Sequence, residues 1–391
     1  MEEVVIVSAV RTAIGAFGGA LKSILPVDLS RFIIEEVIQR STLDPGSIDK
    51  VIFGNCFSPL DSNIARIAAF QAGIPQESPA FTINSTCGSS LQAIICAVQS
   101  IYCQECDVIL AGGVESMSNA PYIQESTRWG QRMQHTQLYD LVWKAMQEYP
   151  IGVGMGLTAE NISEKYNISR EEQDAFALIS HQRATQAIDK GKFLKEILPI
   201  SVKKGRNEVI SFQTDEHVRK DITIEKLAKL NPVFKKNGTV TAGNACGMND
   251  ASSAIILMSR SKANKMNIKP LATIKGYHVA GVDPHIMGIG PVPAIQNLLK
   301  KTQLNVNDID RFEINEAFAA QYLACERDLS LDREKVNVNG SGIALGHPVG
   351  ATGCRILVSL IYNLIADDKQ LGIASLCAGG GMGFAIMIER E

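Results

Sequence analysis

The chain has 391 residues, of which 46% are hydrophobic, 20% are charged and 6% are aromatic, and its formal net charge is -3. This composition excludes a disordered or fibrous protein, and the length suffices for two or three domains or for one large duplicated unit. The slightly negative charge gives no overall attraction to nucleic acid or to an anionic membrane surface, so we expect neither as a partner.

Cysteine usage and the N-terminus indicate the compartment. The nine cysteines are an odd number without the spacing of a disulfide framework, which is typical of reduced thiols. The N-terminus reads as a first core strand and lacks the basic region and cleavage site of a secretory signal. No apolar stretch approaches the ~20 residues that a membrane-spanning helix needs. We therefore expect a cytoplasmic protein that does not enter the membrane.

Short β-rich runs alternate with amphipathic runs through the first part of the chain, which predicts an α/β fold. Strands are expected at residues 4–7, 50–54, 80–86 and 107–110, and helices at residues 29–40, 65–72 and 88–102. Cys87 therefore lies at a junction between a strand and a helix.

Between residues 118 and 247 polar residues dominate and strands become sparse. The clearest element there is a long helix that starts at Ser169-Arg-Glu-Glu172, a capping-box pattern, and stops near Gly191. The α/β pattern resumes at residues 251–259 and again from residue 271. We predict one core half from residues 1–117 and 248–268, an inserted loop domain at 118–247, and a second core half at 269–391.

The two halves resemble each other in the order of their elements, which predicts a duplicated unit. In the first half Cys87 precedes a helix, and in the second half His347 precedes one, within Gly346-His-Pro-Val-Gly350. A duplicated fold brings the two helix starts together, which suits a nucleophile and its base. The helix start also predicts a lowered pKa for Cys87, although a cysteine in such a run is more often a small buried residue.

Two further segments end core strands. Cys377 precedes a glycine-rich run that leads into another strand, so the run is not a dinucleotide-binding turn, which needs a following helix. Asn315 follows the predicted strand 311–314, at a sheet end where functional residues are common, although it could equally cap the next helix. Cys103 and Cys106 have CxxC spacing, but no second pair and no His cluster completes a metal site.

Four segments together resemble the motif set of the thiolase family, in their order as well as in their spacing. They are Asn84-Ser-Thr-Cys-Gly-Ser-Ser-Leu, Asn315-Glu-Ala-Phe, Gly346-His-Pro-Val-Gly-Ala-Thr-Gly and Cys377-Ala-Gly-Gly-Gly-Met-Gly. The resemblance spans nearly the whole chain. It implies the thiolase fold, in which two duplicated βαβαβαββ halves form a five-layered αβαβα core with an inserted loop domain.

The resemblance also implies the chemistry. Cys87 would accept the acyl group of an acyl-CoA thioester, His347 would take the thiol proton, and Cys377 would act as acid or base. One oxyanion hole would use His347 with a water held by Asn315, and the other the backbone amides of Cys87 and Gly379. No cofactor is implied besides the coenzyme A thioester substrates, and the family suggests a homotetramer built from dimers.

Contacts with coenzyme A are also implied, chiefly within the inserted domain. The positions are Met155, Arg219, Phe234, Ala242, Cys246, Gly247, Ala317 and Phe318. Two positions depart from the family pattern: Cys246 stands where a serine is common, and Gly154 stands where short-chain members often have histidine. The departures leave the acyl chain length open.

Four functional hypotheses follow. The first is an acetyl-CoA C-acetyltransferase, which interconverts two acetyl-CoA with acetoacetyl-CoA and CoA, and the second is a degradative 3-ketoacyl-CoA thiolase acting on longer chains. A decarboxylating ketoacyl synthase is disfavoured by the glycine-rich segment after Cys377. A hypothesis of a different class, a non-catalytic acyl-CoA or lipid-binding protein, is disfavoured because Cys87, Asn315, His347 and Cys377 are all present.

Overall fold

The computed structural model describes residues 2–205 and 208–391, and its elements follow the predicted alternation of strands and helices. The part before the insertion contains β1 (Val4–Thr12), β2 (Gly15–Ala16), α1 (Pro26–Ser41), β3 (Lys50–Gly54), α2 (Ile64–Gln71), β4 (Ala80–Ile83), α3 (Ser89–Tyr102) and β5 (Val108–Ser116). Each strand and helix predicted there is present, with ends shifted by a few residues.

The insertion contains short elements around one long helix. They are β6 (Tyr122–Ile123), β7 (Tyr139–Asp140), α4 (Leu141–Gln147), α5 (Met155–Tyr166), α6 (Arg170–Asp189), β8 (Ile197–Leu198), β9 (Ile200–Lys204), β10 (Glu208–Phe212) and α7 (Ile224–Ala228). The capping box at the start of α6 is confirmed: the Ser169 hydroxyl accepts from the Glu172 amide, and the Glu172 carboxylate accepts from the Ser169 amide.

The chain then returns to the core, where β11 (Asn249–Ser259) and α8 (Arg260–Lys265) complete the first half. The elements of the second half are β12 (Ala272–Gly281), α9 (Pro291–Thr302), β13 (Arg311–Ile314), α10 (Ala319–Leu329), α11 (Gly342–Leu345), α12 (Thr352–Ala366), β14 (Leu371–Ala378) and β15 (Met382–Arg390). Short 3₁₀ turns lie at Pro45–Ser47, Met117–Asn119, Pro284–Ile289, Val306–Asp308, Arg333–Lys335 and Val349–Ala351.

The strand order confirms the duplication. The strands run β13-β14-β15-β12-β1-β11-β5-β3-β4, so β1, β11, β5 and β3 in the first half correspond to β12, β15, β14 and β13 in the second. The halves meet where β1 pairs with β12. In the second half a single parallel bridge between Val336 and Phe312 stands where β4 lies in the first. The order of β11 between β1 and β5 accords with the predicted division of the chain, whose boundaries stay a prediction.

The core has the five layers that the thiolase fold implies. Residue alternation along β1 directs Val5 and Val7 towards the outer helices α1 and α2, and Val4 and Ile6 towards α3 and α12. On the far side of the second half, α9 and α10 form the other outer layer. Helices α3 and α12 therefore lie between the two halves of the sheet, with apolar residues on most of their surface.

One helical segment, Val349–Ala366, is apolar and long enough to cross a membrane, so the expectation that no stretch approaches that length was too strong. The segment contains α12, and 83% of it is buried. A helix of the central layer must be apolar on all sides because both of its faces pack against protein. Because a buried core helix has the same length and composition as a membrane-spanning one, the segment is only weak evidence for membrane insertion.

Candidate active site

Cys87 occupies a sharp turn between β4 and α3. The preceding residue, Thr86, has a φ of +50°, a conformation that non-glycine residues adopt rarely, which marks a locally constrained turn. The following residue must be a glycine, because a Cβ on Gly88 would lie 2.3 Å from the Phe384 ring. These constraints place the Cys87 sulfur at the wall of a pocket rather than inside the helix bundle.

The pocket has a volume of about 630 Å³, within the range of small-molecule sites. Residues from both halves and from the insertion line it. They are Cys56, Phe57, Asn84, Ser85, Thr86, Cys87, Leu141, Ala145, Met146, Tyr149, Met155, Cys246, Met287, Ala317, Phe318, His347, Val349, Gly379 and Met382. The pocket therefore brings the predicted nucleophile and the predicted base into one cavity, as the duplication led us to expect.

The expectation of a lowered pKa for Cys87 was wrong for the free protein. Burial raises the pKa of the thiol to about 11, and the nearby carboxylate of Glu115 adds to this effect. The backbone amides of Gly379 and of Cys87 itself act in the opposite direction, but they do not outweigh burial. Cys87 is consequently a thiol at neutral pH, and it needs a base to become a nucleophile.

His347 is arranged to be that base. Its Nδ1 lies 2.6 Å from the Thr352 hydroxyl, which donates its own proton to the Pro348 carbonyl. The hydroxyl must therefore accept from His347, which assigns the proton to Nδ1. Nε2 is left with a free lone pair and has no partner among the described residues. Burial lowers the pKa of His347 to about 3, so the imidazole is neutral.

Cys377 is the last residue but one of β14 and is buried close to two other thiols. Its pKa is raised well above the usual value, first by burial and then by the neighbouring Cys87. Cys246 is a further neighbour of both, and burial raises the pKa of its thiol to about 12. The structure thus brings the two predicted reactive cysteines together and places a third thiol beside them.

Asn315 does not cap a helix, because α10 begins four residues later with Phe318 at its N-cap. Its side chain is fully buried outside the lining of the pocket. The Oδ1 atom accepts a hydrogen bond from Arg355, at 3.3 Å, and Nδ2 has no partner among the described residues. The carboxamide therefore has two unused donor hydrogens.

Gly379 follows β14 directly and faces the Cys87 turn. Its amide donates towards the Cys87 sulfur, while its carbonyl accepts from the Thr86 hydroxyl at 3.3 Å. Backbone amides that converge on a sulfur also suit the oxygen of a thioester attached to it. The arrangement accords with the predicted oxyanion hole of Cys87 and Gly379, whose role stays a prediction.

Comparison with known proteins decides the family. The family model described as Thiolase, N-terminal domain, matches residues 4–261, and that described as Thiolase, C-terminal domain, matches residues 268–390. The chain belongs to the thiolase family. Thiolases transfer acyl groups, so the protein is an acyltransferase.

Full-length relatives agree with this assignment. The chain is 47% identical to a probable acetyl-CoA acyltransferase of Staphylococcus aureus, with 100% of both sequences covered, and 48% identical to the beta-ketothiolase BktB of Cupriavidus necator, with 99% of both covered. Among solved structures, the Bacillus anthracis acetyl-CoA acetyltransferase matches with a TM-score of 0.97 and 51% identity, over 100% of this chain and 99% of that one. Human mitochondrial 3-ketoacyl-CoA thiolase in complex with CoA matches with a TM-score of 0.96 and 45% identity, over 100% and 98%.

The predicted coenzyme A contacts of this thiolase divide into two groups. Met155, Cys246, Ala317 and Phe318 line the pocket. The remaining four lie outside its lining: Phe234 packs edge-on against Phe318, Gly247 lies under the His217 ring, Ala242 is exposed, and Arg219 lines a separate cavity of about 220 Å³. All eight contacts stay predictions.

Several pocket residues were missed by the sequence analysis. Cys56 could have been found, because it follows β3 at a sheet end, the same signal that singled out Asn315. Tyr149 and the α4 residues Leu141, Ala145 and Met146 carry no such signal, because they reach the pocket through the fold of the insertion.

Glu115 was missed as well, although its side chain holds two loops of the site in place through hydrogen bonds. Its buried carboxylate accepts from the amides of Cys56, Phe57 and Gly350, at 2.9–3.2 Å. Burial raises its pKa to about 7 despite these donors. Because Gly350 belongs to the His347 turn, Glu115 joins the Cys56 loop of the first half to the catalytic turn of the second.

Proposed function

We propose that this thiolase is an acetyl-CoA C-acetyltransferase, which interconverts two acetyl-CoA with acetoacetyl-CoA and CoA through an acetyl-Cys87 intermediate. The observation that carries the proposal is that Cys87 and a neutral His347 line one pocket, with the buried thiol of Cys377 beside Cys87. Relatives of similar length that bear acetyl-CoA acyltransferase and acetyltransferase names support it.

The first half-reaction uses the free lone pair of His347. Nε2 takes the Cys87 thiol proton as the sulfur attacks the carbonyl carbon of acetyl-CoA. The bond to the CoA sulfur then breaks, and the imidazolium returns its proton to the leaving thiolate. The products are acetyl-Cys87 and CoA, and the Thr352 hydroxyl accepts from Nδ1 in both the neutral and the protonated imidazole.

The second half-reaction uses Cys377. The Cys377 thiol first loses its proton to solvent, and the thiolate then removes a proton from the methyl group of a second acetyl-CoA. The resulting enolate attacks the acetyl carbon on Cys87, so that a carbon–carbon bond forms as the bond to the Cys87 sulfur breaks. Cys87 leaves as a thiolate and takes up a proton from solvent, which restores its resting thiol. Because burial raises the pKa of Cys377, its thiolate is a strong base, and in the cleaving direction its thiol returns the proton to the carbanion.

A second candidate is a degradative 3-ketoacyl-CoA thiolase for longer chains. It is favoured by the apolar wall of the pocket, where Leu141, Ala145 and Met146 face Phe57 and Val349. Such a wall has room for an acyl chain, whose burial stabilises binding by about 0.8 kcal/mol per methylene group.

A chain-length profile in the cleaving direction separates the two candidates. We expect kcat/KM for acetoacetyl-CoA to equal or exceed that for 3-ketooctanoyl-CoA, with CoA as the second substrate in both assays. A clear preference for the eight-carbon substrate overturns the first proposal in favour of the second. Met146→Ala serves as the matched variant. The smaller side chain enlarges the pocket at its apolar wall, which should raise kcat/KM for 3-ketooctanoyl-CoA and leave kcat/KM for acetoacetyl-CoA unchanged.

We further propose that the protein is a cytoplasmic homotetramer that needs no cofactor besides its coenzyme A thioesters. Exposed apolar side chains near the edge strand β4, among them Ile67, Phe70 and Phe81, support self-association. The nine cysteines are all free thiols, which fits a reducing compartment.

Sedimentation at micromolar concentration should give a tetramer, and a monomer contradicts the proposal. Activity should survive chelation by EDTA, and cell fractionation should find the protein in the cytosol.

A further inference from the structure

Arg355 is a fully buried arginine close to the site, for which the reaction above gives no role. It lies on α12 in the central layer of the core. Its one described hydrogen bond runs from Nη2 to Oδ1 of Asn315, and Nε and Nη1 have no partner among the described residues. A guanidinium with so few partners is costly to bury, so its position calls for a functional explanation.

The contact fixes the orientation of the Asn315 carboxamide. The Asn315 main chain is already held, because its amide donates to the Ser375 carbonyl at 3.0 Å. The remaining freedom is a flip of the amide group, which exchanges Oδ1 and Nδ2. The flipped form would point a donor NH₂ at a cationic donor, whereas the observed form makes a charge-assisted hydrogen bond. Arg355 therefore selects the form in which the Nδ2 hydrogens face away from it.

The first turn of α12 also supports the catalytic base. Thr352, which holds Nδ1 of His347, lies three residues before Arg355, so the two side chains project from neighbouring positions on the helix. The charge of Arg355 also disfavours protonation of His347, as the next contribution after burial. One helical turn thus contacts both groups that the thiolase resemblance assigns to the same oxyanion hole.

Glu313 is the acidic residue that most favours the charged form of Arg355, although no hydrogen bond joins the two side chains and burial raises the pKa of Glu313 itself to about 8. It is buried on β13 two residues before Asn315, and its Oε1 accepts from Asn363 at 2.9 Å. Burial lowers the pKa of Arg355, and the charge of Glu313 is the largest influence that opposes this. Because Glu313 makes no hydrogen bond to the guanidinium, Nη2 stays available to Asn315.

We propose that Arg355 is a positioning residue for the thiolase reaction: it holds the Asn315 carboxamide with Nδ2 free to bind the water that, with His347, stabilises the oxyanion on the thioester. Together with Thr352, it makes the first turn of α12 the common support of Asn315 and His347. The inference rests on the proposed function, because the role of Asn315 as an indirect oxyanion donor belongs to that reaction.

The test compares Arg355→Met with Arg355→Lys in steady-state cleavage of acetoacetyl-CoA by the full-length protein. An oxyanion donor contributes on the order of 10²-fold or more to kcat, so misorienting it should lower kcat by about 10- to 100-fold. KM should change by less than about threefold, because the donor acts mainly in the transition state. Arg355→Lys keeps a charged donor and should lose less than Arg355→Met.

A double-variant cycle separates positioning from general support of the fold. In an Asn315→Ala background there is no carboxamide to orient, so Arg355→Met should change kcat by less than about threefold. The same loss of kcat in both backgrounds overturns the proposal. If Arg355→Met does not fold, Arg355→Lys allows the same comparison. It should lower kcat when Asn315 is present and should not lower kcat further in the Asn315→Ala background.

Two controls complete the design. Arg390→Met removes an arginine that donates to a backbone carbonyl, that of Lys369, at the far end of β15, and it should leave kcat unchanged. The wild-type protein shows whether the proposed function itself holds: if it neither cleaves acetoacetyl-CoA nor forms acetyl-Cys87, the proposed function fails. If it does both and the double-variant cycle is additive, the inference about Arg355 alone fails.

Discussion

Cys87 combines a raised pKa with two amides that favour its anion. Burial stabilises the thiol, while the amides of Gly379 and Cys87 stabilise negative charge at the same place. The site therefore stays uncharged at rest and is preorganised for the charge that develops during reaction. A resting thiol also limits unwanted oxidation, because the thiolate is the form that oxidants attack.

The alkylation rate of Cys87 should report this pKa. Because the thiolate fraction below a pKa of about 11 grows tenfold per pH unit, the rate with iodoacetamide should rise about tenfold per unit between pH 7 and 9. The rate is measured by mass spectrometry of the Cys87 peptide, with Cys87→Ser as the background control. A plateau near pH 7 would instead show a thiolate paired with a protonated His347.

For single residues, the sequence was enough to identify the members of the site but not their burial or their contacts. Cys87, His347, Cys377 and Asn315 follow from motifs and from the ends of strands. The direction of the Cys87 pKa does not, because it depends on how completely distant elements cover the sulfur. The contact of Arg355 with Asn315 likewise joins residues 40 positions apart and leaves no local pattern.

Among the elements, α3 and α12 determine the geometry of the site. The Cys354 amide donates to the Ser90 hydroxyl at 2.9 Å, so the first turns of the two helices touch. This contact confirms that the duplication brings the two helix starts together. The order of elements was predictable from hydrophobic patterns, whereas the single bridge at Val336 was not, because a strand and an extended loop have similar sequences.

The start of α5 supports a prediction about coenzyme A. A Cβ on Gly156 would lie 2.2 Å from the Phe234 ring, which in turn packs edge-on against Phe318. Gly156→Ala must therefore displace the ring from its position beside the pocket. If Phe234 contacts pantetheine, KM for CoA should rise several-fold while kcat changes less.

The control for Gly156→Ala is a glycine at which an added Cβ would contact no other atom. Gly73→Ala is suitable in space, although its positive φ adds some strain, and it should leave KM for CoA unchanged. Equal values of KM for Gly156→Ala and the wild-type protein would contradict the assignment of Phe234 to the coenzyme A channel.

At the scale of the whole molecule, a buried ion cluster fastens the insertion to the core. Arg11 on β1 contacts Glu196 and Asp215 of the insertion, each at 2.7 Å, and all three side chains are buried. Strand β8 joins the core sheet at the same place by pairing with β1. The sequence predicted an insertion but not this attachment, because an isolated arginine in a strand does not reveal its partners.

Replacing Arg11 should loosen the insertion. Arg11→Met leaves two carboxylates buried without their cation, which should cost about 3–5 kcal/mol of stability. We expect a clearly lower melting temperature and faster proteolysis within the insertion. Lys226→Met, which breaks the exposed pair with Asp221, should have little effect on either measurement. Equal melting temperatures for Arg11→Met and the wild-type protein would argue that the cluster does not hold the insertion.

The central claim is that Cys87 carries the acyl group and that Cys377 acts only afterwards. The most direct test is incubation with radiolabelled acetyl-CoA, followed by acid quenching and peptide mapping. We expect label on the peptide that contains Cys87, no label in Cys87→Ser, and normal label without condensation in Cys377→Ala. Label on any other peptide, or full labelling of Cys87→Ser at the same site, would contradict the claim.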